Sequence, residues 1–197
     1  ADGLSAATDH RIDFVNLTTN GGTPESLLKS IQTSEKTRAA VIAADIIIIS
    51  TGMNDLEPTI DLYSAGKCGG ADNFNCFRQV AEGWRLSFNE ILTEINNLRN
   101  GKPTAIRLVT NSNEFLSDRE LMQLFGGPEF GPKGGALITN LHHDVLCEVA
   151  AKHGAVCVDL RPVLNGPNLD KPQDANTQEA MQAVAGALLA SGLDELR

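Results

Sequence analysis

Positive charge is scarce in this chain: 16 Lys and Arg stand against 25 Asp and Glu, a formal charge of -9 over 197 residues. Affinity for nucleic acid comes mainly from clustered Lys and Arg, so this balance opposes a large phosphate-binding surface and a nucleic-acid partner. Long apolar runs are missing too. No uninterrupted stretch approaches the roughly 20 residues a membrane helix needs, so no transmembrane segment is expected. Internal repeats and a domain linker are also lacking. What remains is an ordinary globular composition, 42% apolar and 21% charged, at a length that suits one α/β domain with a substantial core.

Cysteine is present only as two local pairs, Cys68 with Cys76 and Cys147 with Cys157. Neither pair has the two- to four-residue spacing of a zinc knuckle, so no metal is expected and disulfides fit better. Each bridge would close a short loop, worth roughly 2 to 3 kcal/mol in the chain-entropy model, and such bridges persist in oxidising compartments. The expected location is therefore secreted or periplasmic. The alternative for Cys147 and Cys157 is a pair of buried thiols, one on a helix and one in a strand. The chain opens at Ala1 without a Met or a basic-then-apolar leader, which decides nothing about export.

Four short apolar runs, at 13–18, 44–51, 104–110 and 155–160, have the length and β-branched content of strands. Helical patterns separate them. The first opens at Thr23 with Pro24 in its first turn and Glu25 behind it, and takes Leu27, Leu28, Ile31, Ala39 and Ile42 as its core face. The second spaces Val80, Trp84, Phe88, Ile91, Ile95 and Leu98 by three or four, then stops at Gly101 and Pro103; Trp84 reads as core. A third covers 136–153. A fourth follows Asn176, which with Glu179 resembles a capping box, and runs to Gly192.

This alternation predicts an α/β fold, a parallel sheet with helices on both faces. Ligands in such sheets bind beyond the carboxyl ends of the strands, so the turns at 19–23, 52–56, 111–114 and 161–176 carry the functional interest. The stretch "SDRELMQLFGGPEFGPKGG" lies on that edge, either as a lid or as a plain surface excursion.

"NLTTNGGTPESLL", followed about 30 residues later by "ADIIIISTGMNDL", resembles the second and third sequence blocks of SGNH hydrolases, the GDSL esterases and lipases. "CGGADNFNCFRQVAEGWRLSFNEILTEINNLRNGKPTAIRLVT" is similar to the disulfide-bearing middle of secreted bacterial members, and "AMQAVAGALLASGL" to their last helix. The resemblance implies a three-layer αβα sandwich with a parallel, flavodoxin-like sheet, no cofactor, and a small-molecule or lipid ester as substrate. It also implies an oxyanion hole from the Gly21 N–H and the Asn54 side chain. Neutral donors pre-aimed at developing negative charge suit that task, each worth a factor of roughly 10² to 10³ in rate. Read without the family, Gly21 and Gly22 form a tight turn and Asn54 caps a loop.

The family's Gly-Asp-Ser block, which ends its first strand with the nucleophile, is absent from these residues, and Ser5 is no substitute. The expectation is a single domain over 1–197 that lacks its first strand, with the serine on a segment or chain upstream. The family's Asp-x-x-His also fails: Pro172 and Ala175 occupy the places of the acid and the histidine. Asp170 and Asp174 are nearby acids, and Asp174 with Asn176 is better explained as a helix start. His10 and His153 precede strands, at the wrong end of the sheet, while His142 and His143 sit within a helix and point to different sides. Two functions follow: a secreted carboxylic-ester hydrolase, or a binding or scaffolding domain on the same fold without a catalytic histidine.

Overall fold

The computed structural model describes residues 5, 10–113, 123 and 130–165. Helices α1 (Pro24–Thr33) and α2 (Glu35–Ala43) lead into strand β1 (Ile46–Ile49). A 3-10 turn (Met53–Leu56), α3 (Glu57–Ser64) and the long α4 (Asn75–Arg99) lead to β2 (Ala105–Val109). A π-helical turn (Gly131–Gly135) runs directly into α5 (Ala136–Lys152), followed by β3 (Val156–Val158) and the short α6 (Arg161–Leu164). The three strands form a parallel sheet in the order β1-β2-β3, with Ile46 opposite Ala105 and Leu108 opposite Cys157.

One face of this sheet carries the core. Ile47, Ile49, Ile106, Leu108 and Cys157 fall on it by strand alternation, and all five pack in one cluster with Ile31 of α1, Trp84, Phe88 and Ile91 of α4, and Val145 and Leu146 of α5. Tyr63, Phe74, Phe77 and Phe130 extend the core with ring centroids 5.0 to 6.4 Å apart. On the other face Ile48 is 63% exposed, at the sheet edge where β1 has no second neighbour among the described residues.

The first helical pattern is two helices, not one. Ser34 ends α1 by donating its N–H to Ser30 O and starts α2 by accepting from Thr37 N, so the second helix begins in a new phase. Thr37 and Val41 are therefore buried, and the expected core residues Ala39 and Ile42 are exposed. The expected α4 face is present, and Arg99 closes it: its buried guanidinium donates to the Val41, Ile42 and Pro103 carbonyls beside a left-handed Asn100.

The strand expected at 13–18 is not formed. Extended backbone becomes a strand only through a ladder, and here the polar links are local: Arg11 pairs with Asp13, and the Asn16 side chain accepts from the Thr18 N–H and hydroxyl. Phe14 and Val15 are left 71% and 58% exposed. Both expected disulfides are present, Cys68–Cys76 holding the 66–74 loop to the start of α4 and Cys147–Cys157 joining α5 to β3. The thiol alternative for Cys147 and Cys157 is thereby excluded. No described helix is long and apolar enough to cross a membrane. The lid candidate, apart from residue 123 and residues 130–135, and the last helix lie outside the described residues.

Candidate functional site

Two turns from separate stretches of sequence meet beyond the carboxyl end of β1. The first is fixed by α1: Thr23 and Ser26 exchange side-chain-to-backbone hydrogen bonds as a capping box, and Gly22 donates its N–H to Thr19 O. Gly21 adopts a φ of +70°, which glycine adopts without steric cost. The Gly22 carbonyl then accepts from both Thr51 Oγ1 at 3.0 Å and Asn54 Nδ2 at 2.9 Å. Asn54 is thus joined to Gly22, the residue next to Gly21, through a carbonyl that sequence reasoning did not single out. Asn54 is exposed, and its amide nitrogen keeps a second hydrogen after the bond to Gly22.

Beneath this pair lies a wall of buried rings. Gly52 has a φ of +128°, and a Cβ there would stand 2.7 Å from His142 Nε2 and 3.6 Å from Trp84 Nε1, so no side chain fits between the turn and the rings. His142, fully buried on α5, bonds Thr51 O through Nε2 at 2.9 Å and accepts the Asn111 N–H at Nδ1. Nε2 therefore carries the proton and the ring is neutral. Burial is the main reason its pKa is pushed down to about 4; the Thr51 bond opposes the shift, and neighbouring His143 adds to it.

Trp84 stands 5.0 Å from the His142 ring in an edge-to-face contact and donates its Nε1–H to Asp55 Oδ2 at 2.8 Å. Burial raises the Asp55 carboxyl above the usual range, the Trp84 bond pulls against this, and Glu25 adds to the rise. Asp55 is a structural acceptor at the back of the turn, and Asn54 is the group presented outward. Trp84, read as core, is buried as expected; its polar tip is what only the folded chain reveals.

The carboxyl end of β3 is charged instead. Arg161 grips Asp159 through Nε to Oδ1 at 2.9 Å and an NH2 to Oδ2 at 2.8 Å, and reaches Asn140 Oδ1 at 2.7 Å. Burial alone would raise the Asp159 carboxyl, but its bonds with Arg161 hold it below the usual range. His143 lies half-buried beside it, with Nε2 3.5 Å from Asp159 Oδ2 and Nδ1 2.9 Å from Asp144 Oδ1. Farther round, Asn113 and Asn165 exchange two bonds that tie the end of β2 to α6.

The adjacent histidines do point to different sides, one into the core and one toward the β3 edge. His153 lies at the amino end of β3 and lines an open cleft of about 400 Å³ together with Gln32, Glu94 and Lys152. His10 is exposed. Asp174, with Asp170 and the rest of the loop from 166, lies outside the described residues. No family model matches this sequence, and no curated protein matches it.

Proposed function

We propose that this chain is the greater part of an SGNH-type carboxylic-ester hydrolase, exported from the cell, in which the Gly21 N–H and Asn54 Nδ2 form the oxyanion hole. The observation that carries the reading is the junction of the two glycine turns, with Asn54 and Gly22 joined at 2.9 Å beyond a parallel strand. The nucleophile is a serine outside these 197 residues, on a strand lying beside β1 in a flavodoxin-like sheet of a three-layer sandwich. The edge of β1, which has no second neighbour among the described residues and leaves Ile48 exposed, supports that position.

In this mechanism the serine oxygen attacks the ester carbonyl while a base takes its proton. Negative charge moves onto the carbonyl oxygen, where the two neutral donors receive it; the C=O bond then re-forms as the ester C–O bond breaks, the base gives its proton to the leaving alcohol, and water releases the acid from the acyl-serine by the same route. The donors are set before the substrate arrives: the wall of His142 and Trp84 fixes residues 51–55, and the α1 cap fixes residues 21–23.

The full-length protein is expected to turn over a short-chain nitrophenyl ester, and Asn54→Ala to lower kcat/KM by roughly 10²- to 10³-fold with the fold intact, because the residue is exposed. Turnover unchanged by that substitution removes Asn54 from the mechanism. The second reading, a binding domain on the same fold, draws on the histidines: His142 gives both nitrogens to backbone and His143 is engaged by two carboxylates, so neither is placed beside Asn54 as a base for a serine. Complete absence of turnover would favour it.

A further inference from the structure

The two disulfides differ in exposure. Cys68 and Cys76 are buried, whereas Cys147 and Cys157 are only half-buried. His143 lies one helical turn before Cys147, so the two side chains share a face of α5. A ring nitrogen of His143 and both sulfurs of the bridge lie within 4.8 Å of one another. Carboxylates stand beside the imidazole, Asp144 at 2.9 Å and Asp159 at 3.5 Å. While the sulfurs are bonded to each other neither is a thiolate, and thiolate is the ligating form.

We propose that reduction of Cys147–Cys157 exchanges this crosslink for a zinc site, with Cys147, Cys157 and His143 as ligands and water in the fourth position. A dithiol supplies two electrons and two protons: the S–S bond breaks, two thiols form, and the dithiol leaves as its own disulfide. Zn²⁺ then displaces both thiol protons to solvent, and the two thiolates balance its charge.

The donor set selects the metal. Two thiolates and an imidazole suit Zn²⁺ and are poor partners for Mg²⁺ or Ca²⁺, which favour oxygen. Each ring nitrogen of His143 faces a carboxylate, so one of these contacts gives way to the metal while the other orients the ring and raises its basicity. The nearby Arg161 is already neutralised by its two bonds to Asp159. Metal binding needs the sulfurs to part from bonding distance to about 3.8 Å, as two Zn–S bonds of about 2.3 Å at a tetrahedral angle require. The α5–β3 connection survives in either redox state, through sulfur or through metal.

The test uses the full chain, reduced with dithiothreitol, desalted without oxygen and titrated with Co²⁺ and Zn²⁺. The reduced chain is expected to bind about one equivalent with the near-ultraviolet absorption of cobalt thiolate, while the oxidised chain gives none. Cys147→Ser, which keeps Cys68 and Cys76, and His143→Gln are each expected to weaken binding by more than the roughly 10- to 100-fold that loss of a group hydrogen-bonded to a ligand costs. Equal binding by oxidised and reduced protein overturns the proposal, as does reduced Cys147→Ser binding like the parent. Should reduction loosen the fold, Zn²⁺ is expected to restore the thermal transition of the reduced chain; failure to restore it also overturns the proposal.

Discussion

The carboxyl ends of β1 and β3 are served by adjacent residues of one helix, yet they are built in opposite ways. At β1 a fully buried, neutral His142 holds backbone groups of two strand ends, and the glycine turns rest on it and on Trp84. At β3 a half-buried His143 faces Asp144, Asp159 and a disulfide, in a cluster of charges that water reaches. A one-residue step along a helix turns a side chain by about 100°, enough to exchange packed core for solvent. The first end is therefore expected to control folding and the shape of the turn, and the second to tolerate change and exchange ligands.

The comparison is most exposed to His142→Ala. Removing the ring leaves a cavity against Trp84 and Phe88 and orphans Thr51 O and the Asn111 N–H, so a loss of about 3 to 4 kcal/mol is expected in urea unfolding. A loss below about 1 kcal/mol would mean that the turns stand without the ring.

Acid tests the same residue without mutation. The folded-state pKa of His142 is about 4, below the ordinary 6.5, so between these values the unfolded chain binds a proton that the folded chain refuses. Its contribution is complete above about pH 6.5 and is lost as pH falls toward 4, about 3 kcal/mol in all. Asp159, held low, loses its contribution farther into the acid range, while Asp55, held high, shifts the balance the other way. Equilibrium unfolding from pH 7 to 4 is expected to show this slope in the parent and not in His142→Phe.

The smallest effect is expected from the neighbour. His143→Ala removes a half-buried ring from ion contacts that water screens, and stability is expected to stay within about 0.5 kcal/mol of the parent. A larger loss would show that the β3 end is structural after all, and would erase the contrast.

Much of this was readable before folding. The isoleucines of β1 and the β-branched run of β2 mark strands because that composition suits a pleated, buried surface, and the spacing of Trp84, Phe88, Ile91 and Ile95 marks α4 because it recurs on one helical face. The helix break at Ser34 was hidden, since a residue that can cap two helices looks the same in a list as one inside a helix. The run at 13–18 misled for a related reason: apolar alternation measures what a strand would bury, whereas a strand also needs a partner for its backbone.

What the sequence determined by itself is local: the strand and helix signals, the glycine turns, and two cysteine pairs close enough along the chain to bridge. Tertiary structure decided which distant groups meet. Gly22 with Asn54, Trp84 with Asp55, and His142 with Thr51 are contacts 29 to 91 residues apart along the chain. Such pairs leave no periodic trace in sequence, because their distances follow from the packing of α1, α4 and α5 on one sheet face.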